Sequence, residues 1–129
     1  MLVLIVEDDR LKKEFVKEVL KQRGIDSLAF KSVNPAISYA IKHSTEIDGI
    51  VLDLGLTGYD YSDDYEYDKG LRVVEALTEN GIEIPIILNS CIYVNFERLQ
   101  ETHKNLKMRM DDDEYFLKQF IYCLQEKKW

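Results

Sequence analysis

With 129 residues, of which 46% are apolar and 32% charged, the chain is long enough to bury a core without disulfide or metal staples, and one domain is expected. Its 24 acids against 17 bases give a net charge of −7, and the bases are scattered, with no cluster longer than a pair such as Lys12-Lys13 or Lys127-Lys128. This excludes general nucleic-acid binding, which needs cations to displace phosphate counterions. No apolar run approaches a membrane span either, since the stretch from Ile82 to Leu88 is broken by Glu83 and Pro85.

The start, Met1-Leu2-Val3, runs straight into a strand with no basic segment and no cleavage site, so a cytoplasmic protein is expected. That strand is the apolar run Leu2 to Ile5 followed by Val6-Glu7-Asp8-Asp9, and it ends abruptly in three carboxylates. Asp9 is placed to cap a helix whose apolar positions Leu11, Phe15, Val16, Val19 and Leu20 follow the spacing of one buried face. Gly24 stops it, as a glycine just past a helix commonly does.

Ser27 to Phe30 reads as a second strand. Asn34-Pro35 then predicts a helix, Asn as cap and Pro at the first helical position, with Ile37, Ala40 and Ile41 inward. The third strand, Gly49 to Asp53, again ends in an acid. After a polar stretch, a helix from about Gly70 turns Leu71, Val74 and Leu77 inward and ends at Asn80-Gly81.

Ile84 to Leu88 is apolar on both faces, as a central parallel strand must be. A weaker helix spans Val94 to Lys104, and Leu106 to Met110 alternates apolar and basic residues like an edge strand. The last helix opens on Asp111-Asp112-Asp113-Glu114 and closes on Lys127-Lys128, both favourable to the helix dipole. Its predicted stripe is Phe116, Leu117, Phe120, Ile121 and Leu124. Cys91 and Cys123 match no metal spacing and are expected as reduced thiols, while His43 and His103, lacking partners at metal-ligand spacing, are expected on the surface.

Five strands alternating with five helices predict an α/β fold, a doubly wound parallel sheet in the 2-1-3-4-5 order of flavodoxin-like domains. Ligands of such sheets sit beyond the carboxyl ends of the strands, near the switch point between the first and third, where Glu7, Asp8 and Asp53 fall. Like charges held together raise each other's pKa, so the acids are read as a pocket for a hard divalent cation such as Mg²⁺. The competing reading makes them helix caps and solvated loop residues.

Three stretches carry a family resemblance. Leu4-Ile5-Val6-Glu7-Asp8-Asp9, then Val51-Leu52-Asp53-Leu54, then Pro85-Ile86-Ile87-Leu88-Asn89-Ser90 resemble, in order and across nearly the whole chain, the receiver domain of bacterial two-component response regulators. The resemblance implies that Asp53 is the phosphoacceptor, attacking a phosphohistidine on a histidine kinase or phosphotransfer protein. It implies that Glu7, Asp8, Asp53 and the backbone carbonyl of Gly55 hold Mg²⁺, and that the hydroxyl of Ser90 bonds the phosphoryl group.

Two departures stand out. The family carries a lysine, usually followed by proline, at the end of the fifth strand. This chain reads Leu106-Lys107-Met108-Arg109-Met110, so Arg109, or Lys107, is the nearest replacement for contact with the phosphoryl group. The family's aromatic switch position falls near Leu106. The second departure is an insertion at 57–68, which carries Tyr59, Tyr61, Tyr65 and Tyr67 among five acids and no base. It reads either as a solvated acidic loop or as a partner-binding segment in which the tyrosines are the anchors.

The expected function is a stand-alone receiver that takes a phosphoryl group on Asp53 and signals through protein contacts, to a downstream partner, a phosphorelay or a homodimer. Catalysis would be limited to self-phosphorylation and self-dephosphorylation. The alternative is a pseudo-receiver adaptor that binds partners without phosphorylation. A third, weaker reading is a Mg²⁺-dependent phosphohydrolase. Asp53-Leu54-Gly55-Leu56-Thr57 faintly resembles the aspartate motif of haloacid-dehalogenase-like phosphatases, but Gly55 stands where that family has its second aspartate, so the general acid is absent.

Overall fold

The computed structural model describes residues 1–53, 68–89, 96–110 and 114–129. In chain order the elements are β1 (Leu2–Val6), α1 (Arg10–Gln22), β2 (Asp26–Phe30), α2 (Val33–Lys42), β3 (Gly49–Leu52), α3 (Asp68–Glu79), β4 (Ile86–Asn89), α4 (Phe96–Thr102), β5 (Leu106–Met110) and α5 (Glu114–Glu126). All strand pairs are parallel and the order is β2-β1-β3-β4-β5, as the alternation of strands and helices predicts.

Successive residues of a strand face opposite sides of its sheet, so the central strands feed two cores. Leu4, Val6, Ile50, Leu52, Ile86 and Leu88 pack with α2 and α3 through Val33, Ala36, Ala40, Val74 and Leu77. Val3, Ile5, Val51 and Ile87 face the other way, onto Val16, Val19 and Leu20 of α1 and Leu117, Phe120, Ile121 and Leu124 of α5. Gly49 opens β3 against this second layer, where a Cβ would come within 2.8 Å of Leu124.

Asp9 caps α1 as expected, its Oδ1 accepting from the backbone N–H of Leu11 at 2.9 Å and of Lys12 at 3.1 Å. Gly24 ends that turn with a φ of +71°, the left-handed region that glycine enters without a Cβ penalty. The predicted α1 stripe is only half right. Leu11 is 81% exposed and Phe15 is also exposed. A helix turns 100° per residue, so Leu11 lies about 140° round the axis from Val16.

In α2 the cap is Ser32, two residues before the expected Asn34. Asn34 instead accepts from Arg72 Nη2 of α3 at 3.0 Å. Pro35 then occupies the third helical position, where the N–H it lacks would have no intrahelical partner. Ile41 is exposed, because Val33, Ala36 and Ala40 form the inner face. Ile84 and Pro85 precede β4 rather than opening it, consistent with proline's missing ladder donor.

In α5, Phe116 is exposed beside Tyr115, and the helix ends at Glu126, before the two lysines expected to close it. His103 is buried, against expectation. The Thr78 hydroxyl donates to Val74 O at 3.0 Å, so at 2.8 Å it accepts the Nδ1–H of His103. His43 is partly exposed, stacks on Tyr39 and lies 3.2 Å from Glu46. Cys123 is a free, half-buried thiol, and Cys91 lies outside the described residues. Among the described residues, no helix is long and apolar enough to cross a membrane.

Candidate functional site

Each central strand continues its buried face into a polar residue at its carboxyl end. Val3 and Ile5 precede Glu7 in alternation, Val51 precedes Asp53, and Ile87 precedes Asn89, so the three polar residues follow the α1–α5 face. The backbone stays aligned past the strand ends. Glu7 N donates to Phe30 O and Asp53 N donates to Val6 O, both at 3.0 Å. All three residues are buried, Glu7 to 2% exposure and Asp53 to 8%, while Asp8 stands exposed beside them.

Carboxylate oxygens of Glu7, Asp8 and Asp53 all lie within 4.8 Å of one another. Burial, reinforced by a side-chain hydrogen bond to Asp53 and by its negative charge, pushes Glu7 up to about 9. The Asp9 N–H, 3.3 Å from Glu7 Oε2, and the charge of Lys12 pull weakly the other way. Glu7 Oε1 is buried and has no hydrogen-bond partner among the described residues. Hard oxygen donors with an orphaned lone pair are the set that a divalent cation such as Mg²⁺ takes. The residues present therefore fit that ion.

Of the residues singled out in the sequence, the structure brings Glu7, Asp8 and Asp53 together. Gly55, Ser90 and the tyrosines Tyr59, Tyr61, Tyr65 and Tyr67 lie outside the described residues. Lys107 is drawn elsewhere, its Nζ 5.8 Å from the centre of the Trp129 ring. The ladder between β4 and β5 shifts at Ile86/Ile87, so Arg109 pairs with Leu88 and Met110 with Asn89. Leu88 belongs to the α2–α3 core, the face opposite Glu7 and Asp53.

Two residues of this region escape a reading of the sequence. Asn89 ends an apolar strand, and its buried Oδ1 has no partner among the described residues; a carboxamide in that run was the available signal. Lys12 reads in sequence as half of a scattered basic pair, yet its charge reaches Glu7. The cap at Asp9, whose Oδ1 accepts from the Lys12 N–H at 3.1 Å, fixes the first turn of α1 that carries it.

The sequence matches no protein-family model and no curated protein. Solved structures are similar in fold. A signal receiver domain from Vibrio parahaemolyticus, described as that of a Luxo repressor protein, superposes with a TM-score of 0.75 at 19% identity over 98% of this chain and 90% of that one. The receiver domain of the Francisella response regulator 1452 gives 0.72 at 19% over 98% of each chain. The BeF3-activated N-terminal receiver domain of Klebsiella pneumoniae RstA gives 0.70 at 14% over 95% of this chain and 96% of that one.

Proposed function

We propose, with the receiver fold as the premise, that this chain accepts a phosphoryl group on Asp53 from a histidine kinase or phosphotransfer protein and signals through protein contacts. The observation that carries the reading is the meeting of Glu7, Asp8 and Asp53 within 4.8 Å at buried strand ends. Glu7, Asp8, Asp53 and the backbone carbonyl of Gly55 would hold Mg²⁺. The ion, when bound, supplies the positive charge that lets an anionic carboxylate approach an anionic phosphoryl group.

Asp53 acts as nucleophile. One carboxylate oxygen forms the new bond to phosphorus while the bond to the donor's imidazole nitrogen breaks, and the imidazole leaves with that electron pair. Its backbone, tied to β1 through Val6 O, holds the side chain on the sheet axis. Glu7 gives up its proton before it serves as a ligand, because its raised pKa keeps the carboxyl protonated at neutral pH. The Ser90 hydroxyl would donate to a phosphoryl oxygen, whereas Arg109, paired with Leu88 on the opposite face of the sheet, is poorly placed to supply the cation of the family's lysine. The tyrosines of the 57–68 insertion contact the protein partner.

The adaptor reading has one observation in its favour: Lys107, the only lysine of β5, sits over Trp129. Incubation with acetyl phosphate and Mg²⁺, followed by intact mass, separates the two. A receiver gains one phosphoryl group that disappears in Asp53→Asn and when metal is chelated. No gain, together with no binding of beryllofluoride, leaves the adaptor.

A further inference from the structure

The edge of the sheet carries a feature that the phosphoacceptor chemistry does not use. A cleft of about 450 Å³ opens between β5, α4 and α5, with walls formed by Leu106, Met108 and Trp129. Its volume lies within the roughly 300–1,000 Å³ of small-ligand clefts. Trp129 is anchored on one side by the fully buried Phe120, their ring centres 5.5 Å apart, and is 51% exposed overall. Lys104, Lys107 and Lys128 line the same cleft. None of the three makes an ion pair among the described residues, although the whole chain carries a net charge of −7.

An apolar wall with an aromatic side and three ammonium groups that no described carboxylate pairs selects for an acidic peptide with aromatic side chains. Carboxylates pair with the lysines, and a tyrosine ring packs on Trp129 or against the Met108 thioether. The chain itself contains such a segment. Residues 57–68 hold four tyrosines and five acids, with Tyr59, Tyr61, Tyr65 and Tyr67 at odd positions and most of the acids at even ones. An extended peptide with this pattern puts tyrosines on one side and carboxylates on the other.

We propose that the cleft of one molecule binds the 57–68 segment of a second copy. The segment joins the carboxyl end of β3 to the start of α3, whereas Leu106, which lines the cleft, is the first residue of β5, two strands away and at the opposite end of the sheet. That separation favours a neighbour's segment over the molecule's own. The contact joins two different surfaces of the same chain and makes association dependent on protein concentration and on salt.

The chain's only tryptophan is Trp129, so its fluorescence reports the cleft directly. A synthetic peptide of residues 57–68 is titrated into dilute full-length protein, and sedimentation of the protein alone is followed as concentration rises. The expected result is saturable binding that weakens by about tenfold or more in the Lys104→Glu/Lys107→Glu double variant and at high salt, together with self-association that the same variant loses. Replacing the four tyrosines of the peptide by serine is expected to weaken binding comparably. Circular dichroism checks that the variant is folded. Absence of peptide binding overturns the proposal, as does binding that the double variant leaves unchanged. A protein that stays monomeric while its cleft takes the peptide overturns the second copy as occupant.

Discussion

Glu7 and Asp53 are buried at the ends of β1 and β3, whereas Lys104 and Lys128 stand in solvent around the cleft beside β5. Both regions concentrate charge of one sign, but the surroundings treat that charge differently. At the strand ends burial, reinforced by the hydrogen bond to Asp53 and its charge, keeps a proton on Glu7, and one Glu7 oxygen has no partner among the described residues. Around the cleft, water and salt screen the lysines, and their charge costs the fold little. Buried like charge stores a demand for a cation. Exposed like charge steers a partner.

The largest expected effect comes from Phe120→Ala, which undermines both regions at once. Phe120 is fully buried, lies under Trp129 and packs beside Gly49 at the opening of β3. Chemical denaturation is expected to show a loss of about 3–5 kcal/mol. A change confined to the cleft, with the core intact, would break the comparison.

Next comes the linkage between metal and pH. The pKa of Glu7 is raised from 4.5 to about 9, so its contribution to the stability of the metal-free protein is fully present below about 4.5 and is lost as the pH rises through about 9. Mg²⁺ binding releases that proton, so affinity measured calorimetrically is expected to tighten with rising pH, by up to about tenfold per pH unit below the raised pKa. Glu7→Gln is expected to bind Mg²⁺ more weakly with a flat pH profile, and to raise the metal-free stability near pH 8 by about 1 kcal/mol. A steep profile in that variant would assign the proton elsewhere.

Asp9→Ala removes the cap of α1, for an expected loss of about 1 kcal/mol in thermal unfolding. Because the same turn carries Lys12, the variant is also expected to weaken the pull on Glu7 and move the Mg²⁺ pH profile slightly upward. The smallest effect belongs to Lys107→Glu. It loses an exposed cation–π contact with Trp129, and stability is expected to change by no more than about 0.5 kcal/mol. A loss of several kcal/mol would place that lysine in the core of the fold rather than at a docking surface.

Much of this was legible in the order of residues. Apolar runs ending in Glu7-Asp8 and in Asp53, separated by helix-length segments, are enough to predict a parallel sheet and acids at its switch point, because strand period and crossover handedness are local or nearly universal. Caps were less legible. Asp9 is the cap it looks like, but Asn34 bonds Arg72, a partner 38 residues away that no local rule reveals. Leu11 and Phe15 share the spacing of a buried face, yet α1 meets the sheet through Val16, Val19 and Leu20, and which arc of a helix is covered depends on what lies opposite.

The sequence by itself determined the elements, their order and the three carboxylates, since periodicity and turn chemistry act over a few residues. Tertiary structure alone decided that Glu7, Asp53 and Asn89 follow one face and that the shift in β5 pairs Arg109 with Leu88. It also decided that Lys12 reaches Glu7 and that His103 is buried against Thr78. Each of these depends on register or on contact between distant segments, and a pKa near 9 exists only where packing has removed the water.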